Sequence, residues 1–180
     1  MALSLAAARP SRQAVLCLLI LAGAAQARPD LPATPERKLK AAYIYRVATF
    51  VGWPDAAFAR AGAPLLVGVA GDDALAAEAA RFMGGRLVHG RPLAVVRIDR
   101  RLDPHAMPHV LFVAASPARG RLLDAVRSQP VLTVCDGAPG HGCVVGLVAD
   151  GTHLRPRVDR LEATAAQLRV SARLLALAAW

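Results

Sequence analysis

The sequence predicts a single α/β domain: a central, mostly buried β-sheet flanked by helices, with a C-terminal β-hairpin and a final helix. Three observations predict it. Short, nearly continuous apolar runs recur at residues 65–70, 92–98, 110–114 and 131–135; they are short for helices and lack the polar alternation of half-exposed strands. Segments with apolar residues at helical spacing lie between them, and such alternation is the pattern of α/β domains. The 180 residues suffice for one domain with a real core once a leader is set aside.

Residues 1–27 read as a signal peptide. Arg9 and Arg12 precede an apolar run at 14–22, and Ala25, Gln26 and Ala27 form a small-x-small cleavage site. The run is well short of the ~20 residues that span a bilayer. Leu16 before Cys17 is bulky where lipid attachment follows a small residue. The domain is therefore expected to be 28–180, exported, starting at Arg28. Export disfavours ATP-driven chemistry and permits disulfides.

The elements follow in order. Thr34 and Pro35 read as an N-cap and first helical position. Leu39, Ala42, Tyr43, Val47 and Phe50 then recur at helical spacing until Gly52 and Pro54. Arg46 and Lys40 fall off the Tyr43 and Val47 face and are expected in solvent. Trp53 is expected to close this helix over the core. The run at 65–70 is a buried strand. Asp72 caps a second helix to Met83, ended by Gly84 and Gly85. Residues 92–98 and 110–114 are further buried strands. Ser116 and Pro117 open a third helix to about Ser128. Residues 131–135 and 143–149 are strands around a turn-rich loop at 136–142. Asp150 and Gly151 mark a hairpin turn. Pro156 makes the returning strand, His153 to Val158, an edge. Asp159 and Glu162 form a capping-box pattern before the final helix. Leu161, Leu168 and Leu175, with Ala165, Ala172 and Ala179 between them, make a narrow stripe on that helix. It is expected to pack on its own sheet; self-association into a homodimer is the alternative.

Charge and cysteines narrow the class. The net charge of +9 falls to about +7 without the leader and is almost all arginine. It suits an acidic partner face or anionic headgroups; export and scattered charges argue against nucleic acid. Cys17 leaves with the leader. Cys135 and Cys143, eight apart, read as one disulfide. The rival, a metal site with His141, falls short of the four ligands of a structural zinc.

Catalytic patterns are missing from the sequence. There is no Gly-x-Ser-x-Gly elbow and no His-Glu-x-x-His. The glycines at 137–142 link two strands, the wrong context for a phosphate cradle. Asp72 with Asp73 reads as capping. Asp99 and Asp103 sit among arginines. His89, His105, His109, His141 and His153 have no ligand spacing and read as surface or turn residues. Ser171 has no activating partner nearby. The sequence therefore predicts no catalytic site, no cofactor and no metal.

Several segments together resemble one family. Lys40, the tyrosine helix and Phe50-Val51-Gly52-Trp53-Pro54 resemble its opening. Leu66 to Asp72, Gly90 to Val95, His109 to Val113, Val131 to Asp136, and Leu168 to Leu175 resemble its later motifs in order. This is the YfiR family of small exported α/β proteins. The resemblance implies a periplasmic regulator that binds the sensor domain of an inner-membrane diguanylate cyclase of the YfiN type and holds it inactive. A small-ligand-binding or sensory-input protein serving a transporter or another membrane sensor is the alternative. This chain departs from the family in having cysteines for one disulfide, in Asp159 for asparagine, and in Arg160 and Gln167. The partner surface is expected around Leu154, Arg155 and Arg157, on the irregular edge strand beside the disulfide loop.

Overall fold

The computed structural model describes residues 34–99, 101–151 and 153–178; the signal-peptide reading of 1–27 lies outside them. Helix α1, Pro35–Thr49, starts where the cap predicts: Thr34 Oγ1 accepts the Arg37 amide at 3.4 Å and Pro35 fills the first turn. Strand β1, Val51–Gly52, follows. Strand β2, Leu65–Ala70, leads into α2, Asp73–Met83, where Asp72 accepts the Leu75 amide at 2.9 Å. A short strand β3, Leu87–Val88, turns into β4, Arg91–Ile98. Then come β5, Val110–Val113; α3, Arg119–Ala125; β6, Leu132–Asp136; β7, Val145–Asp150; and β8, His153–Val158. The chain closes with α4, Arg160–Ala165; β9, Arg169–Val170; and α5, Ala172–Ala178.

Seven strands form one mixed sheet in the order β3-β4-β2-β5-β6-β7-β8. The central five run parallel, and β3 and β8 are antiparallel edges. One face carries the larger core, where Ile44, Val47, Leu75 and Met83 from α1 and α2 meet Val67, Phe112 and Val134. The other packs Leu122, Leu123 and Val126, on and just after α3, over Leu111, Val113 and both cysteines. Among the described residues, no helix is long and apolar enough to cross a membrane.

Two expectations need correction. The final helix is not continuous. Gln167 turns left-handed at φ 56°, β9 pairs antiparallel with β1, and the Ser171 amide reaches Phe50 O at 2.9 Å. Backbone pairing with a distant strand outcompetes helical propensity here. The leucine stripe therefore does not exist: Leu161 is 83% exposed, Leu168 is buried and Leu175 is half-buried on a separate helix, so it cannot carry self-association. Second, residues 92–98 are not a buried strand. Most of β4 is half-exposed, with Pro92 and Arg97 exposed. It lies next to the sheet edge, flanked only by the two-residue β3.

Candidate functional site

The disulfide loop is held at several points. Cys135 and Cys143 are joined, as their spacing and the expectation of export predict. Both are fully buried under α3, and with the sulfurs joined to each other the rival metal site has no thiolates. His141 instead lies against Arg127. Thr133 is buried; its hydroxyl donates to Gly142 O at 2.9 Å and accepts the Val144 amide at 2.8 Å. The Gly142 amide donates to Glu162 Oε1 at 3.0 Å. Asp159 caps α4 by accepting the amides of Leu161 and Glu162, but Glu162 does not close a capping box; it reaches across to the loop. Gly146 lets the loop lie on β7, since a Cβ there would sit 2.3 Å from Pro139 N.

Beside the loop is a groove of about 580 Å³ lined by Pro139, Arg157, Val158, Arg160, Leu175 and Ala178. Four of the lining residues are apolar and two are arginines. The strand β8 alternates as strands must. Leu154 and Pro156 turn inward, and Arg155 and Arg157 turn out. Leu154, at 6% exposure, belongs to the core and is not available to a partner as the sequence reading expected. Arg155 pairs with Asp150 at 2.7 Å. Arg157 and Arg160 make no ion pair among the described residues. Residues 153–178 contain Arg155, Arg157, Arg160, Arg169 and Arg173 against Asp159 and Glu162 alone. Both acids accept backbone amides, and the five arginines outnumber them, so this segment carries an excess of positive charge.

A second charged cluster lies at the carboxyl ends of the parallel strands. Lys40, expected in solvent, is 7% exposed. Its Nζ donates to Asp136 Oδ2 at 2.8 Å and to Glu36 Oε1 at 2.6 Å. Arg37 Nε donates to both Asp72 oxygens at 3.0 and 3.1 Å. Arg119 donates to Asp136 O at 3.0 Å. Burial works against the Lys40 ammonium, but the bonds from Asp136 and Glu36 outweigh it and hold its pKa above the ordinary lysine value. Lys40 holds Glu36 below the usual carboxylate range. The missed signal is helical: Lys40 shares the buried face of α1 with Ile44, Val47 and Ala48. Open α/β sheets bind ligands where strand order reverses, between β2 and β5 in this topology. Here the first half of α1 is tied by ion pairs both to Asp136 at the end of β6 and to Asp72, two residues beyond β2, the strands on either side of β5.

His109 is also misplaced by the sequence reading. It is not a surface residue. Its Nδ1 accepts the Leu66 amide at 3.0 Å, which leaves the proton on Nε2, 3.0 Å from Ala57 O. Phe58 stacks on the ring at 4.5 Å, and Arg91 covers the other face of Phe58. Burial is the main cause pushing its pKa down, with the bond to Ala57 opposing and Arg91 assisting. Trp53, 5% exposed, donates to His109 O at 3.1 Å and lids the core as expected. His89, His105, His141 and His153 are exposed.

A family model described as YfiR/HmsC-like matches residues 37–179, from the first turn of α1 through α5. No curated protein matches the chain.

Proposed function

Because this chain belongs to the YfiR/HmsC-like family, we propose that it acts in the periplasm as a repressor, binding the sensor domain of an inner-membrane diguanylate cyclase of the YfiN type and lowering cyclic di-GMP and biofilm formation. Members of the family are periplasmic regulators of diguanylate cyclases. In this reading residues 1–27 are the export signal, cleaved after Ala27, and the protein acts by binding.

The observation that carries the reading is the groove beside the disulfide loop. It joins apolar residues to Arg157 and Arg160, whose neighbouring acids Asp159 and Glu162 accept backbone amides. Such a surface suits an acidic segment with one or two apolar side chains. Repression requires that the protein prefer the inactive state of the sensor domain, because only differential affinity shifts an equilibrium.

The test is cyclic di-GMP measured in a deletion strain and after complementation. Deletion is expected to raise it and complementation to restore it. Unchanged cyclic di-GMP, with the protein expressed in the parent, refutes the function. Full repression by an Arg157→Glu, Arg160→Glu protein refutes only the surface.

A further inference from the structure

Residues 54–63 form a strap between β1 and β2, ending at Pro64. Its backbone bonds are local. The Ala57 and Phe58 amides donate to Pro54 O and Asp55 O around one 3-10 turn, and the Ala63 amide donates to Arg60 O. Among the described residues, no backbone bond ties the strap to a helix or to the sheet. Side chains hold it instead. His109 Nε2 donates to Ala57 O at 3.0 Å. Arg91 Nη1 donates to Ala63 O at 2.9 Å and to Arg60 O at 3.4 Å. The Phe58 ring packs against both, 4.5 Å from the imidazole centre and 3.6 Å from the guanidinium carbon.

One of these holds depends on charge. The register of β5 on β2 starts with Val110 opposite Val67. One step earlier, the Leu66 amide is accepted by a side chain, His109 Nδ1 at 3.0 Å. An imidazolium carries protons on both nitrogens and accepts nothing. Protonation therefore sets N–H against N–H and leaves the Leu66 amide without its acceptor. No described carboxylate bonds the ring in return. The charged and titratable groups around it are few. Asp55 and Arg60 on the strap, and Asp103 and His105 before β5, are exposed. Strand β2 has none, and Asp136 lies at the far end of β6 on Lys40. Arg91 of β4, in contact with the same Phe58 ring, disfavours a second cation. His89 approaches Trp53 and keeps Nε2 on Val51 O at 2.8 Å, a bond in which it donates and which protonation leaves intact.

We propose that residues 54–63 are an acid-released latch: protonation of His109 breaks its bond to the Leu66 amide, the ring leaves its seat, and the strap lifts from the sheet. The ring cannot leave Leu66 and stay on Ala57, because one rigid imidazole makes both bonds. Its departure also ends the Phe58 stack. Arg91 is then the one side chain still bonded to the strap. Ala57 and Phe58 pack against the larger core when the latch is closed, so opening uncovers apolar surface at one place and leaves the sheet ladders whole. Local opening of this kind needs a segment with few bonds to the rest of the fold, and histidine is the side chain whose ordinary titration lies in the range where it can be switched.

The test is hydrogen exchange of the purified protein from about pH 7.5 to about pH 4.5, scaled at each pH to the exchange of an unstructured chain, with an NMR titration of the His109 ring beside it. The ring is expected to hold its proton on Nε2 at the upper end and to gain the second at Nδ1 as the strap opens. One proton drives the change, so peptides from 55–63 and the Leu66 amide are expected to lose protection by about tenfold per pH unit below the ordinary histidine value. Residues 110–113 and 132–136 are expected to keep theirs. His109→Asn and His109→Gln cannot titrate, and strap exchange in both is expected to be independent of pH. His89→Gln is expected to behave as wild type. Strap protection that does not change with pH, a loss shared equally by β5 and β6, or acid opening that persists in both His109 variants overturns the proposal.

Discussion

Lys40→Met tests whether the clamp between α1 and β6 holds the fold together. Methionine keeps most of the buried stem and removes only the ammonium. The Asp136 side chain, 31% exposed, then loses its direct cation. Breaking a fully buried pair costs about 3–5 kcal/mol, and a hydrogen bond to a charged group contributes about 1.5–3. Water reaches Asp136 in part, so the lower range applies and about 1.5–2.5 kcal/mol is expected. For a domain of this size that is roughly a 3–10 °C fall in Tm. Urea unfolding followed by Trp53 fluorescence measures it, and adding Asp136→Asn and the double variant closes a mutant cycle. A coupling of about 1–2 kcal/mol is expected. Were Lys40 solvated, as the sequence alone suggests, the single change would fall within about 0.5 kcal/mol. A coupling under about 0.3 kcal/mol refutes the clamp. The pH dependence has a definite sign. The folded pKa is raised, so this stabilisation is complete below the unfolded lysine value and is lost as pH rises through the folded one.

Three further outcomes are expected. Replacing Cys135 and Cys143 by serine opens a loop of separation 8 and costs roughly 2.5 kcal/mol in the chain-entropy model; because both sulfurs are buried, thiol trapping is expected to show the native bond resisting mild reductant until the protein unfolds. Gly146→Ala places a methyl against Pro139 and is expected to cost about 1–3 kcal/mol and to weaken binding at the groove, measured by denaturation and by titration with the sensor domain. Neutral His109 is favoured by folding, so the unfolded chain binds more protons as pH falls below the ordinary histidine range; stability is expected to drop there in the wild type and to drop less in His109→Gln, as read by urea midpoints across pH.

Much of this architecture was decided locally and could be read along the chain. Apolar runs marked β2, β5 and β6, because strands buried on both faces leave no polar positions. Thr34, Asp72 and Asp159 marked helix starts, because a cap satisfies amides two or three residues away. The disulfide followed from two cysteines eight apart and the expectation of export. The inward turn of Leu154 was legible too, in its alternation with Arg155 and Arg157. Tertiary structure decided what depends on partners distant in sequence. Lys40 is buried because Asp136, 96 residues away, neutralises it. His109 is neutral and enclosed because Leu66 and Ala57, 43 and 52 residues away, claim its two nitrogens. The last helix breaks because β1 offers β9 a backbone partner. Periodicity and propensity report what one segment prefers alone, whereas the burial of a charge and the choice between helix and strand depend on what the fold brings beside it.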